Sequence, residues 1–147
     1  MSHCHTQSSR NKFLKYREYY FGIRGIYFAR SSMKITLYHN PQCSKSRETL
    51  KLLQEKDVEV IIIEYLKNPL TLSELESISQ KLNLQPRQFM RTQEDAYKTE
   101  NLADATLSNK DLFQAIINHP RLLERPIAIS QNSAAVGRPP ENVLALL

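Results

Sequence analysis

Two β-rich runs separated by a single helical stretch constrain this chain more than any other feature. Lys34–Tyr38 alternates apolar and polar residues, and Glu59–Tyr65 carries the longest apolar run, Val60–Ile63. Between them, His39–Ser44 reads as a turn punctuated by Asn40-Pro41. Ser44–Glu55 then reads as a helix, with Leu50, Leu52 and Leu53 on one stripe and charges on the opposite face. Strand, helix and strand with such short links make a βαβ unit, whose handedness sets the two strands parallel. The unbroken apolar run of the second strand predicts burial on both of its faces.

Further along, Asn68-Pro69 breaks the chain, and Thr71 with Glu74 three residues on forms a capping box for a helix to about Leu82. Residues 86–118 read as wholly helical: Pro86 suits a first helical turn, and Ser108 caps a helix over Asp111–Asn118 that stops at His119-Pro120. Arg125–Ser130 and Ala134–Gly137 read as short strands paired across Gln131–Ser133. A closing helix runs from Pro139 to Leu147. This order, β-α-β, several helices, then β-β-α, predicts an α/β protein with a thioredoxin-like fold and a helical insertion.

The net charge of +5 is concentrated at one end. Residues 1–32 hold six basic residues and one acidic one, whereas 33–147 hold 14 of each. The body therefore gives no reason to expect a nucleic-acid partner. Residues 1–32 also hold seven of the 12 Tyr and Phe residues. A basic, aromatic arm of that kind could bind nucleic acid or an anionic lipid surface, and it faintly resembles an organellar transit peptide. The reading favoured is a natural start at Met33, because Lys34 opens a strand at once, with residues 1–32 a disordered or upstream extension. The His3-Cys4-His5 run is not expected to hold a metal, since three adjacent residues do not converge on one ion. No apolar stretch approaches the length of a membrane span, so a cytoplasmic protein is expected.

Cys43 is the only cysteine outside that extension, which fits a reducing compartment and a thiol kept for reactivity. It sits where a strand turns into a helix, so unpaired N–H groups and the helix dipole favour its thiolate. Lys45 and Arg47 add positive charge in the first helical turn. Ser46 offers a hydroxyl to the sulfur or to a bound anion, and His39 is placed to act as a cation or hydrogen-bond donor. The N–H groups of residues 44–47 also form an oxyanion cradle. A buried structural thiol is the alternative, but the polar neighbours Gln42, Ser44 and Lys45 argue against it.

The stretch His39-Asn-Pro-Gln-Cys-Ser-Lys-Ser-Arg47 resembles the active-site loop of the glutaredoxin-coupled arsenate reductases, the ArsC-type family. The resemblance runs through essentially all of 33–147, with Glu124-Arg-Pro-Ile127 and Gly137-Arg-Pro-Pro-Glu141 as further motifs in the same order and spacing. Ser44-Lys45 replaces the Gly-Thr of the plasmid-type enzymes, a pattern of the YfgD-like branch. The resemblance implies that Cys43 is the nucleophile and that Arg91, Arg125 and Arg138 hold the oxyanion. It also implies that His39 and Ser46 depress the thiol pKa, and that Arg125-Pro126 is a cis bond. Taken singly, an arginine is more often a solvated surface residue, and Arg87 and Arg121 are read so.

The implied activity is reduction of arsenate to arsenite by a monomer with no bound cofactor or metal, glutathione being the co-substrate and glutaredoxin the partner. Two other readings stand beside it. One is a glutathione-dependent reductase of another substrate, which needs Cys43 but not all three arginines. The other is a transcription-regulating module of the Spx type, which usually senses redox through paired cysteines, absent from the body of this chain.

Overall fold

Residues 32–147 are described by a computed structural model. The expectations about residues 1–31, including the His3-Cys4-His5 run, fall outside the described residues. The βαβ unit forms as its pattern requires: β1 (Met33–Tyr38), α1 (Ser44–Gln54) and β2 (Val58–Ile63), with β1 and β2 parallel along their whole length. α2 (Leu72–Leu82) starts at the predicted capping box, in which Thr71 Oγ1 accepts the Glu74 N–H and Glu74 Oε2 accepts the Thr71 N–H. Its chain leaves through Asn83 in the left-handed conformation, a common helix stop.

The region expected to be wholly helical is only partly so. A 3-10 turn at Pro86–Phe89 leads to a short α3 (Asp95–Thr99), then turns, then α4 (Asn109–Asn118) capped by Ser108 and Asp111. The break follows from tertiary pairing: Met90 bridges Leu123 in antiparallel fashion, and Arg91 N–H donates to the Leu122 carbonyl at 2.7 Å. β3 (Ile127–Ile129) and β4 (Ala134–Val136) form the predicted hairpin. The closing segment, Pro140–Leu146, is 3-10 rather than α-helical.

The four strands lie in the order β2-β1-β3-β4, with β3 antiparallel to β1. The alternation of β1 sends Ile35 and Leu37 to one face, where they meet Leu53 of α1 and Val143 and Leu146 of the closing segment. Tyr38 joins the other face, against Leu75 and Ile78 of α2 and Leu112 and Ile116 of α4. Helices thus cover both faces of the sheet, as the α/β thioredoxin-like reading requires.

Burial of the second strand on both faces is not observed. β2 is an edge strand, and Ile61 and Ile62 keep 42% and 45% of their surface exposed. Periodicity cannot distinguish a central strand from an edge strand rich in isoleucine. Among the described residues no helix is long and apolar enough to cross a membrane.

Candidate active site

β1 and β2 run in parallel, so their carboxyl ends open on the same side, where open α/β sheets place ligands. The loop from β1 into α1 is held by local bonds. Asn40 carbonyl accepts the Cys43 N–H at 3.0 Å, Asn40 Oδ1 accepts the Gln42 N–H at 3.0 Å, and Arg47 Nη1 donates to the Pro41 carbonyl at 2.9 Å. Cys43 is the N-cap of α1, in the extended conformation that points a capping side chain at the helix's free N–H groups. The first turn of α1 carries no acidic residue, so nothing on the helix competes with a thiolate there.

Two of the three arginines reach the sulfur. Arg138 Nη2 lies 3.6 Å from Cys43 Sγ, and the Arg125 guanidinium adjoins it. Burial alone would push the Cys43 thiol up. The N–H groups of Ser46 and Lys45 and the two guanidiniums outweigh that effect and hold it below the ordinary thiol range.

Arg91 is brought to the same place by the Met90–Leu123 bridge. Its Nε donates to Glu94 Oε1 at 2.8 Å, and its Nη1 lies 3.7 Å from Glu124 Oε1. The same Glu124 oxygen pairs with Arg138 Nε at 2.9 Å, so one carboxylate ties two of the predicted arginines together. Arg138 Nε also donates to the Arg125 carbonyl at 2.8 Å. The peptide bonds Arg125-Pro126 and Arg138-Pro139 are both cis.

Gly137 lets these segments meet. A Cβ there would stand 2.6 Å from Thr49 Oγ1 and 2.7 Å from Pro126 Cγ, so only glycine permits β4's exit to press against α1 and the Arg125-Pro126 loop.

His39 and Ser46 sit beneath the loop rather than in it. Both are buried, and Ser46 Oγ lies 2.7 Å from His39 Nδ1 while accepting the Asn40 N–H at 3.0 Å. The Ser46 hydroxyl is thereby engaged, and it is the Ser46 backbone N–H that faces the sulfur. Burial pushes the His39 pKa down, with Glu64 and a Ser46 hydrogen bond opposing and Arg47 assisting, for a net lowering. Burial thus disfavours the imidazolium form of His39, which stands here as a hydrogen-bond partner of Ser46. Arg47 is exposed, and its guanidinium is spent on the Pro41 carbonyl. Arg87, read as a surface residue, instead clamps the carbonyls of Leu102 and Asp104.

Two groups at the site escaped the sequence reading. Glu124 stands in a motif whose neighbouring arginine drew the attention, and nothing local signals its bridging position. Tyr65, fully buried just beyond β2, lies within electrostatic reach of Arg125, Arg91 and Cys43. Its place past the carboxyl end of a parallel strand was the available signal. Among the described residues, no group of three or more His, Cys, Asp or Glu side chains could hold a metal ion.

The sequence model of the ArsC family matches residues 38–146. An arsenate reductase of Haemophilus influenzae is 49% identical over 116 residues, covering 78% of this chain and all of that protein. The uncharacterised protein YfgD of Escherichia coli is 45% identical over 115 residues, covering 78% of this chain and 97% of YfgD. Among solved structures, an arsenate reductase from Vibrio cholerae superposes with a TM-score of 0.77 at 45% identity, over 79% of this chain and 99% of its own.

Proposed function

The chain belongs to the ArsC family, and on that premise we propose that it reduces arsenate to arsenite through the Cys43 thiolate, with glutathione and glutaredoxin as the electron donors. The observation that carries this reading is the placement of Cys43 Sγ at the N-cap of α1, beside Arg138 at 3.6 Å and against Arg125. A thiolate and an arsenate dianion repel one another. Guanidiniums offset that repulsion and grip tetrahedral oxyanions through paired N–H groups.

In the proposed reaction, the Cys43 sulfur attacks arsenic, a sulfur–arsenic bond forms, and an arsenic-bound oxygen leaves as water after taking up protons. Arsenic(V) then accepts two electrons. Two thiols supply them and end as a disulfide, so that one arsenate and two thiols give one arsenite, one disulfide and one water. Cys43 is the sole cysteine of residues 33–147, and in this scheme the second thiol is external rather than Cys4. Glutathione meets that need, and glutaredoxin returns the resulting mixed disulfide to thiol. Arg91, tied by Glu124 to Arg138, completes the anion-binding set in this scheme.

The test is NADPH consumption in the presence of arsenate, glutathione, glutaredoxin and glutathione reductase. Arsenate-dependent turnover is expected from the wild type and none from Cys43→Ser. A wild type that consumes no NADPH with arsenate, but does so with a protein–glutathione mixed disulfide, would replace this reading with a general thiol reductase.

A further inference from the structure

Among the described residues of the site, Tyr65 carries a buried hydroxyl whose proton has no acceptor. Its side chain is 0% exposed and packs with Tyr38, Leu70 and Leu75 in the core beneath the helices. Among the described residues, its hydroxyl and the buried Nε of Arg125 make no well-aligned hydrogen bond, and the neighbour the hydroxyl has is the Arg125 guanidinium itself. Burying a polar group without a partner is costly, and a phenylalanine would fill the same space at no such cost.

The Tyr65 oxygen can accept from the Arg125 guanidinium, but the tyrosine's own proton still needs an acceptor. An arginine has no acceptor to offer, so Arg125 cannot take the tyrosine's proton, whatever the angle between them. What the pair lacks is an acceptor, on the side of the site where Cys43 and Arg91 also converge. A tetrahedral oxyanion supplies several acceptor oxygens at once.

We propose that the Tyr65 hydroxyl donates a hydrogen bond to an oxygen of the bound arsenate, next to the bond from Arg125, and so is a further substrate-binding residue of this site. The inference rests on the arsenate-reductase reading above. Burial raises the Tyr65 pKa against the lowering effect of Arg125 and Arg91, so the hydroxyl keeps its proton and stays a donor at neutral pH.

The test compares wild type with Tyr65→Phe in three measurements: kcat/KM for arsenate in the coupled assay, the rate of Cys43 alkylation by iodoacetamide across pH, and the melting temperature. A hydrogen bond to a charged acceptor predicts a loss of about tenfold or more in kcat/KM for arsenate. Alkylation, which involves no oxyanion, is expected to keep its rate and pH midpoint. The melting temperature is expected to change little, because the hydroxyl proton has no partner to lose.

An unchanged kcat/KM overturns the inference while leaving arsenate reduction standing. A parallel fall in alkylation overturns it as well, since Tyr65 would then act on Cys43 rather than on substrate. A lowered melting temperature would show that the hydroxyl already has a partner in the free protein, which is equally fatal. A wild type inert toward arsenate overturns the parent reading and this inference together.

Discussion

Cys43 draws its acidity from three separate stretches of chain: the first turn of α1, the Arg125 loop and Arg138 beyond β4. Its thiolate is favoured in the folded protein, so the folded pKa lies below the unfolded one. That linkage contributes stability above the unfolded thiol pKa and is lost as pH falls through the folded value. Alkylation of Cys43 by iodoacetamide should accordingly show a pH midpoint below the ~8.5 of a free cysteine. Arg138→Ala removes the guanidinium 3.6 Å from the sulfur and should move that midpoint upward. A midpoint that does not respond to Arg138→Ala would assign the acidity to the helix N–H groups and Arg125. His39 works in the opposite sense: its lowered pKa means that the unfolded state binds a proton more readily, so its contribution weakens the fold as pH drops below about 6.5.

At the level of elements, α1 is held from below as firmly as it is exposed above. Thr49 is buried in the middle of the helix, and its hydroxyl donates to the Lys45 carbonyl at 2.8 Å. Gly137 lies against that hydroxyl and against the rigid ring of Pro126, and its N–H donates to the Pro126 carbonyl at 2.8 Å. Neither neighbour can swing aside like the end of a flexible side chain. Gly137→Ala should therefore destabilise the protein by about 1–3 kcal/mol, as overpacking does, and should weaken arsenate turnover by shifting Arg138 and the Arg125 loop. Thermal unfolding checks the first expectation and the coupled assay the second. A melting curve equal to wild type would mean that α1 and the proline loop separate easily.

Across the whole molecule, the strand order decides what each apolar residue is worth. Ile35 and Ile61 belong to neighbouring parallel strands, yet Ile35 is fully buried and Ile61 is exposed at a sheet edge. Ile35→Ala should cost about 2–5 kcal/mol, in line with other buried isoleucines. Ile61→Ala should stay within about 0.5–1 kcal/mol. Equal losses in denaturant unfolding would place β2 inside the sheet rather than at its edge. The same order explains why function gathers at one rim: the carboxyl ends of β1 and β2 deliver Cys43 and Tyr65, and the hairpin of β3 and β4 delivers Arg125 and Arg138 on either side of it.

The sequence by itself determined the kinds and order of most elements, because those are set by patterns two to four residues wide. The βαβ unit, the capping box at Thr71, the cap at Ser108 and the hairpin that joins the two short strands all follow from such patterns. It also located Cys43 at a helix start, where local backbone geometry favours a thiolate. Tertiary structure alone decided the rest. Arg138 and Cys43 meet across 95 positions of sequence, Met90–Leu123 pairing interrupts the expected helical region to bring Arg91 to Glu124, and burial lowers the His39 pKa. Periodicity tells a residue which face of its own element it occupies. Which element lies opposite, and what a buried charge or hydroxyl then faces, is fixed only when the layers pack.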